Sequence, residues 1–308
     1  MLFDRTAEII VGQSGKAGIQ IKDLRMSFKI EKTATETLNT STVKIWNLNA
    51  SSRALVETPN NALILKAGYV QDIGALTIFV GIVRRSLSVQ EGPDWITELE
   101  LDDGLIAYRD SKCSMSFNPG VRGTDVIVAI ANQFGLPVRP FPEDVTDKQY
   151  ADGFSFVGRT RDAMKKCCNY LGVEWSIQNQ EIQLLKKGGT IKRTAIVLSA
   201  DTGMIGVPKL EAKTMGEKAA AKKGITTNTA GVIKRPAKTS NASGETHERL
   251  QIQGYKVKSL LQPTIQPGSV VQLKSSGIDG EFFRVEKVVH SGDTFGKDFD
   301  SEMTLRFI

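Results

Sequence analysis

Apolar and polar residues alternate in short runs along much of the chain, and the pattern is densest from Gln251 to Ile308. There Val271 and Leu273 alternate with Gln272 and Lys274. Phe283, Val285, Lys287 and Val289 alternate with Arg284, Glu286, Val288 and His290, and Met303, Leu305 and Phe307 with Thr304, Arg306 and Ile308. A period of two with β-branched and aromatic residues is the signature of half-buried strands. Gln262-Pro263, Pro267-Gly268, Ser276-Gly277, Asp279-Gly280 and Gly292-Asp293 punctuate the runs as turns. Asp279-Gly280 predicts the tight hairpin, because glycine supplies the positive φ that such a turn requires. The segment reads as a small antiparallel sheet or barrel.

Residues 1–101 carry the same pattern. Leu24, Met26, Phe28 and Ile30 share one parity and Ile19 and Ile21 the other, which predicts one strand with a bulge near Lys22-Asp23. Further strands are expected over Thr42–Leu48, Leu63–Tyr69, Leu76–Val83 and Trp95–Leu101, with Asn49 capping a short helical turn. The middle, 102–189, changes period. Thr124 is placed to cap a helix over Asp125–Phe134 that Gly135 closes, and a second helix fits Arg159–Leu171 before Gly172. A hairpin about Asn179 follows. From residue 190 strand character returns at Thr194–Ser199, then a loop over Asp201–Pro208. The predicted class is mainly β, with β-barrel, tube-like domains at 1–101 and 190–308 and a small α+β domain between them. No βαβ succession supports a doubly wound nucleotide fold.

One stretch departs from this plan. Residues 211–249 contain no Phe, Trp or Tyr and are rich in Ala, Lys, Thr, Gly and Ser. On its own such a composition buries too little apolar surface to offset ordering entropy, so it reads as a long polar insertion.

Composition narrows the class without naming a chemistry. Forty Lys and Arg against 34 Asp and Glu give +6, a mixed solvated surface rather than a nucleic-acid footprint. No apolar run reaches the roughly 20 residues that span a bilayer, and the first ten residues do not read as a secretory signal. Three cysteines, Cys113 and the adjacent Cys167-Cys168, point to synthesis in a reducing cytosol.

The search for catalytic chemistry finds none. Ser291, His290 and Asp293 are the only candidates for a triad, but neighbours on a strand point apart. Cys167-Cys168 have no ligating neighbour, so no metal is expected. Asp102-Asp103-Gly104 reads as a turn closing a strand rather than paired carboxylates. Gly12-Gln13-Ser14-Gly15-Lys16 lacks the spacing of a phosphate loop and reads as a hairpin turn. No cofactor is expected, and no enzyme.

The assembled pattern resembles the baseplate hub proteins of contractile-tailed bacteriophages and the hub part of type VI secretion spikes. The resemblance is carried by Val43-x-Ile45-x-Asn47-Leu48, Ala67-Gly68-Tyr69 and Phe79-x-Gly81. Further along it is carried by Leu171-Gly172-Val173-x-Trp175, Thr202-Gly203-Met204-Ile205-Gly206-x-Pro208, Ser259-Leu260-Leu261-x-Pro263-x-Ile265-x-Pro267-Gly268 and His290-Ser291-Gly292-Asp293. It implies a homotrimer whose protomers each supply two similar barrels, adapting a six-fold tail tube to a three-fold spike. It implies that Gly68, Tyr69, Gly81, Gly203, Gly206, Pro208, Pro263, Pro267, Gly268, Gly292 and Asp293 are structural turn positions and not ligands. The implied partners are further copies of the chain, the tail tube protein, a separate central spike protein (the chain stopping at Ile308), the tape-measure protein and baseplate wedge proteins. DNA is implied only in transit through a lumen, with no membrane insertion. The implied location is the virion tail baseplate, after synthesis in the host bacterial cytoplasm. The insertion would reach a neighbouring protomer or a wedge protein. Runner-up readings are a tail-tip cell-wall hydrolase or peptidoglycan-binding module, and a DNA-binding protein using 213–238.

Overall fold

The computed structural model describes residues 4–13, 15–72, 74–191, 194–215, 226–227, 233–234 and 249–308. In chain order the elements begin with β1 (Arg5–Gly12), β2 (Ile19–Ile21), β3 (Met26–Thr33), β4 (Thr40–Trp46), α1 (Ala50–Val56), β5 (Ala62–Tyr69), β6 (Gly74–Glu91) and β7 (Asp94–Asp102). The middle holds α2 (Leu105–Asp110), β8 (Lys112–Phe117), β9 (Val121–Arg122), α3 (Gly123–Phe134), β10 (Gln149–Tyr150), β11 (Phe154–Arg159), α4 (Thr160–Leu171), β12 (Val173–Gln178) and β13 (Glu181–Lys186). Then follow β14 (Ile196–Leu198), β15 (Met204–Met215), β16 (Thr226–Thr227), β17 (Ile233–Lys234), β18 (Arg249–Leu260), β19 (Val270–Ser275), β20 (Ile278–Asp293) and β21 (Phe299–Phe307). The fold is mainly β, as the alternation predicts.

One pairing scheme occurs twice. In the first repeat β3 pairs with β4, β4 with β7, β7 with the second half of β6, and the first half of β6 with β5. In the second, β15 pairs with β18, β18 with β21, β21 with the second half of β20, and the first half of β20 with β19. All eight pairings are antiparallel. Each long strand bends from a front sheet into a back sheet at a one-residue bulge, between Val83 and Arg85 in β6 and between Val285 and Lys287 in β20. A bulge bends a strand locally, which lets one strand serve two layers.

The repeats are fused. Residues 287–293 of β20 pair antiparallel with 27–33 of β3, so the two front sheets form one surface within a 13-stranded sheet. The cores interlock as well. Leu261 and Phe299, from the C-terminal repeat, belong to the apolar cluster built by Ile9, Phe28, Leu65, Phe79 and Leu99 of the N-terminal one. Phe299 meets the rings of Phe28 and Tyr69 edge-on, at 5.9 and 5.3 Å. Tyr69 is buried; its hydroxyl donates to the Phe299 carbonyl at 3.2 Å and accepts from the Leu261 N–H at 3.2 Å. A second cluster packs α3 and α4 on β12 and β13 around Trp175, and a third fills the C-terminal repeat around Phe283.

Several sequence expectations hold in detail. Asn49 caps α1, its Oδ1 accepting from the Ser52 N–H at 2.8 Å. Gly135 and Gly172 close α3 and α4 in the left-handed conformation, and Asn179 and Gln180 turn the β12–β13 hairpin with positive φ. Others need correction. The chain breaks at Asp23 (φ 61°) instead of bulging, so Ile19–Ile21 becomes a separate strand paired with β1. Thr124 lies inside the first turn of α3, where Asp147 holds its N–H and hydroxyl, at 3.1 and 2.7 Å. The β19–β20 reversal falls on Ser276-Gly277, and Gly280 (φ 75°) sits at a bulge inside β20, because Ser275 pairs with Ile278. The expected loop over 201–208 becomes strand from Met204, with a bulge between Ile205 and Lys209. Strand pairing enters the polar stretch from both sides, to Met215 and from Arg249. Most of the remainder of 211–249 lies outside the described residues.

Replacing Tyr69 by Phe removes the hydroxyl that bridges the Phe299 carbonyl and the Leu261 N–H, which remain paired with each other at 3.1 Å. The expected cost is about 0.5–1.5 kcal/mol of stability, read as a lower urea midpoint with unchanged slope.

Candidate functional site

Two regions gather polar side chains in a way that packing alone does not require. The first is the outward surface of the front sheet. Period-two alternation sends Phe28, Ile30, Val43, Ile45, Leu99, Val288, Met303 and Val257 inward and leaves the opposite parity outside. Those outward positions carry Lys29, Glu31, Lys44, Glu98, Glu100, Arg85, Lys287, Glu302, Arg306 and Lys256. Opposite charges meet across strand boundaries. Lys44 pairs with Glu98 at 3.2 Å, Lys287 with Glu31 at 2.6 Å, Lys258 with Asp300 at 3.0 Å and Arg306 with Glu211 at 3.0 Å. Exposed pairs of this kind contribute little stability, roughly 0–1 kcal/mol each. Their effect is on the field: neither sign dominates, so the surface is hydrated without a strong potential.

Asp293 closes the end of this row. It pairs with Arg25 at 2.9 Å, and its Oδ1 accepts from the N–H groups of Phe295 and Gly296 at 2.9 and 2.8 Å. Burial raises its carboxyl, but those donors outweigh it and hold the group below the usual carboxylate value. Arg25 also lies over the Trp46 ring, 4.3 Å from its centroid.

The second region is a buried joint where β3, the end of β7 and the β12–β13 hairpin meet. Lys32 donates to Asn179 Oδ1 at 2.6 Å; the Asn179 N–H and Asn39 Nδ2 donate to Asp103 Oδ2 at 3.3 and 2.7 Å. Asn39 Nδ2 also reaches the Ile177 carbonyl at 2.8 Å, and Gln178 Nε2 the Thr33 carbonyl at 2.7 Å. Burial pushes the Lys32 ammonium down to about 8, with Asp103 partly opposing, and pushes the Asp103 carboxyl up to about 6. Further along, the same hairpin grips the C-terminal repeat. Glu174 pairs with Arg284, Gln183 Nε2 donates to the Pro267 carbonyl at 3.0 Å, and Arg139 bridges Glu181 and Gln183 at 2.9 and 2.7 Å. Asp102 and Asp103 are therefore not an exposed turn. Both are buried, and the hairpin seats directly on Asp103. Two acidic residues before a glycine gave no signal of that burial.

The candidate triad is not assembled. His290 points inward, 1% exposed, with Nδ1 2.8 Å from Ser301 Oγ, while Ser291 faces out and Asp293 is held by Arg25. Burial pushes the His290 ring down to about 3. Cys167 and Cys168 are both in the core, since α4 is packed on two sides. Among the described residues no cluster of His, Cys, Asp or Glu could hold a metal ion.

The glycines and prolines expected at turns divide into two groups. Gly68, Gly81 and Gly292 lie within strands, as do Tyr69 and Asp293, and the glycines serve close approach instead of reversal. A Cβ on Gly81 would stand 2.2 Å from the Asp102 carbonyl oxygen and 2.6 Å from the Phe79 ring. Gly203, Gly206 and Gly268 have positive φ. Gly203 accepts from the Leu260 N–H at 2.8 Å, and Gly206 and Pro208 make the β15 bulge. Pro263, Pro267 and Gly268 lie in the β18–β19 connection, where Gly268 donates to Val285 and accepts from Ile191, at 2.7 and 2.8 Å.

No family model matches this chain, and no curated protein does. Solved structures do. The 43 kDa tail protein of prophage MuSo2 from Shewanella oneidensis aligns with a TM-score of 0.62 at 10% identity, covering 97% of this chain and 96% of that one. The tail protein from Neisseria meningitidis MC58 gives the same values: TM-score 0.62, 10% identity, 97% and 96% coverage. An E. coli component of the type VI secretion system, described as similar to T4 bacteriophage tail proteins, aligns with a TM-score of 0.55 at 9% identity over 97% of this chain and 76% of its own. The chain thus has the fold of phage tail proteins, as the resemblance in its sequence implies.

The joint sets a pH expectation. Lys32→Met removes the cation that opposes the rise of Asp103, so the carboxyl midpoint moves further above about 6, read by carboxyl-carbon NMR titration. Separately, His290 has a folded pKa below its ordinary 6.5, so its contribution is complete above that pH and is lost as pH falls toward about 3. The loss is about 1.4 kcal/mol per pH unit in that window. His290→Asn should flatten the acid limb of a melting-temperature profile.

Proposed function

We propose that this protein is a structural component of a phage tail baseplate, a trimeric central hub that adapts a six-fold tail tube to a three-fold spike. The observation that carries this reading is the duplicated front sheet, fused edge to edge within a chain whose whole length aligns with tail proteins. Two equivalent units per protomer convert a threefold assembly into a ring of six similar units. We take the units to be 1–101 and 190–308, with 102–189 as the domain that braces them.

The outward face of the front sheet is the proposed lumen lining. Passage of DNA or of a tape-measure protein needs walls that hold water and bind nothing tightly. A field in which lysines and glutamates cancel across strands supplies that, whereas a basic lining would retain a polyanion through counterion release. The tail tube protein, a separate spike and the baseplate wedge proteins are the proposed neighbours, in the virion tail. The role is architectural and calls for no reacting group.

Two measurements test the reading. Light scattering across a concentration series should converge on three times the 33.7 kDa chain mass. Binding to double-stranded DNA should be undetectable at about 0.15 M salt; tight binding there would contradict a neutral lining.

A further inference from the structure

The middle domain is joined to the two repeats by polar contacts and glycine tethers, not by a shared core. Among the described residues, none of 104–189 belongs to the apolar cluster of either repeat, and Leu38 is the one side chain from the repeats in the cluster around Trp175. The repeats themselves, by contrast, interlock through Leu261 and Phe299. The chain enters the domain at Gly104 (φ 153°) and leaves it at Gly188 (φ 74°) and Gly189. Glycine adopts such positive φ without steric cost, and a hinge needs only a few residues that absorb a dihedral change. Past the second tether the Ile191 N–H donates to the Gly268 carbonyl at 2.8 Å, so the chain there is already fixed to the C-terminal repeat.

The seam that holds the domain against the N-terminal repeat carries two buried charges. Across it Lys32 donates to Asn179, Asn39 to the Ile177 carbonyl, Gln178 to the Thr33 carbonyl, the Asn179 N–H to Asp103, and the Val80 N–H to Asn179 Oδ1 at 3.3 Å. Lys32 is 2% exposed, and its one recorded acceptor is the neutral Asn179 amide. Asp103 is fully buried, with Oδ1 unpartnered. An amide thus stands between the two charges instead of a direct ion pair. Charges buried in this way pay desolvation with little Coulombic return, which favours the unseated state. The seam is also incompletely filled. An open cleft of about 430 Å³ lies between Ile82 of β6 and Ile106, Phe134 and Leu136 of the middle domain, and Gln180 of the hairpin lines it too.

We propose that the middle domain is a hinged arm: it turns about Gly104 and Gly188 and unseats its β12–β13 hairpin from the N-terminal repeat while every core stays folded. The buried charges set when it turns. Lys32 faces Asp103, Arg139 and His290, and Asp103 faces Lys32 and Asp102. Burial holds the Lys32 ammonium at about 8, below its ordinary 10.5, and the Asp103 carboxyl at about 6, above its ordinary 3.8. Unseating returns both groups to water. Opening therefore takes up a proton at Lys32 between about pH 8 and 10.5, and releases one at Asp103 between 3.8 and about 6. Acid below about pH 6 favours the seated arm, and so does alkali above about pH 8. Opening is greatest in between, where both groups are ionised while buried. Asp102, raised by burial as well, adds to the acid limb, and His290, pushed down to about 3, stays neutral throughout. Such an arm lets the repeats keep their shape while the middle domain changes position, whatever assembly the chain enters.

Amide hydrogen exchange of the full chain, corrected for the intrinsic pH dependence of unprotected amides, tests the arm. The Asn179 and Val80 N–H groups lie on opposite sides of the seam and both point into it. Their opening constants should rise and fall together, about ten-fold lower at pH 5 and at pH 9 than at pH 7. Amides inside the cores, such as Ile130 in α3 and Leu99 in β7, should stay protected throughout. Lys32→Met combined with Asp103→Asn removes both titrating groups, and the new side-chain oxygen can still accept from Asn39 and Asn179. That variant should give a flat profile from pH 5 to pH 9. Seam amides that exchange only together with Ile130 and Leu99 would report global unfolding and overturn the hinge. A profile that changes in one direction only, or a maximum that survives the double substitution, overturns the control by the buried charges. The wild-type profile decides even where the doubly substituted chain does not fold.

Discussion

The pairing of β20 with β3 is the constraint on which the rest depends. Each repeat on its own is a bent sheet with an exposed first strand and an exposed last strand. Joining one of each inside the chain removes two liabilities and fixes the relative position of the repeats to within a hydrogen-bond register. A slip of one residue would turn Ile30 and Val288 outward and Lys29 and Val289 inward. The two apolar cores therefore hold the register, and the register holds the front sheets as one surface.

The middle domain secures the same junction from outside. Its β12–β13 hairpin has Ile177, Gln178 and Asn179 against β3 and β7, and Glu174 and Gln183 against the β18–β19 connection and β20. Burying Lys32 and Asp103 there costs desolvation free energy, and replacing such pairs with apolar residues often leaves proteins no less stable. What the polar joint supplies instead is a unique fit. Asn39 and Asn179 satisfy donors and acceptors in only one seating of the hairpin.

The strands were legible in the sequence because alternation reports one buried face, and the helix ends because Gly135 and Gly172 mark left-handed caps. The hairpin about Asn179 was legible for the same kind of reason. Turn placement failed where two glycines competed: Gly277 took the reversal and Gly280 the bulge, a choice set by pairing register and not by local propensity. The buried joint was illegible. Lys32, Asp103 and Asn39 look like surface residues, and only packing of an element more than 70 residues away in sequence from Asp103 buries them. The duplication was equally hidden to direct comparison of residues, since Ser27 corresponds to Ile205 and Phe28 to a three-residue bulge, although the shared pairing scheme is plain once the ladders are aligned.

The placement of Leu261 and Phe299 in the N-terminal core bears on biosynthesis. Translation delivers the N-terminal repeat first, but its core is completed by side chains that leave the ribosome more than 150 residues later than Leu101. The early strands must wait, partly collapsed, with β3 unpaired on the side that β20 will occupy. Contacts of such long sequence separation slow folding. An N-terminal repeat that finishes only when the last strand arrives also leaves a nascent fragment without a finished front sheet.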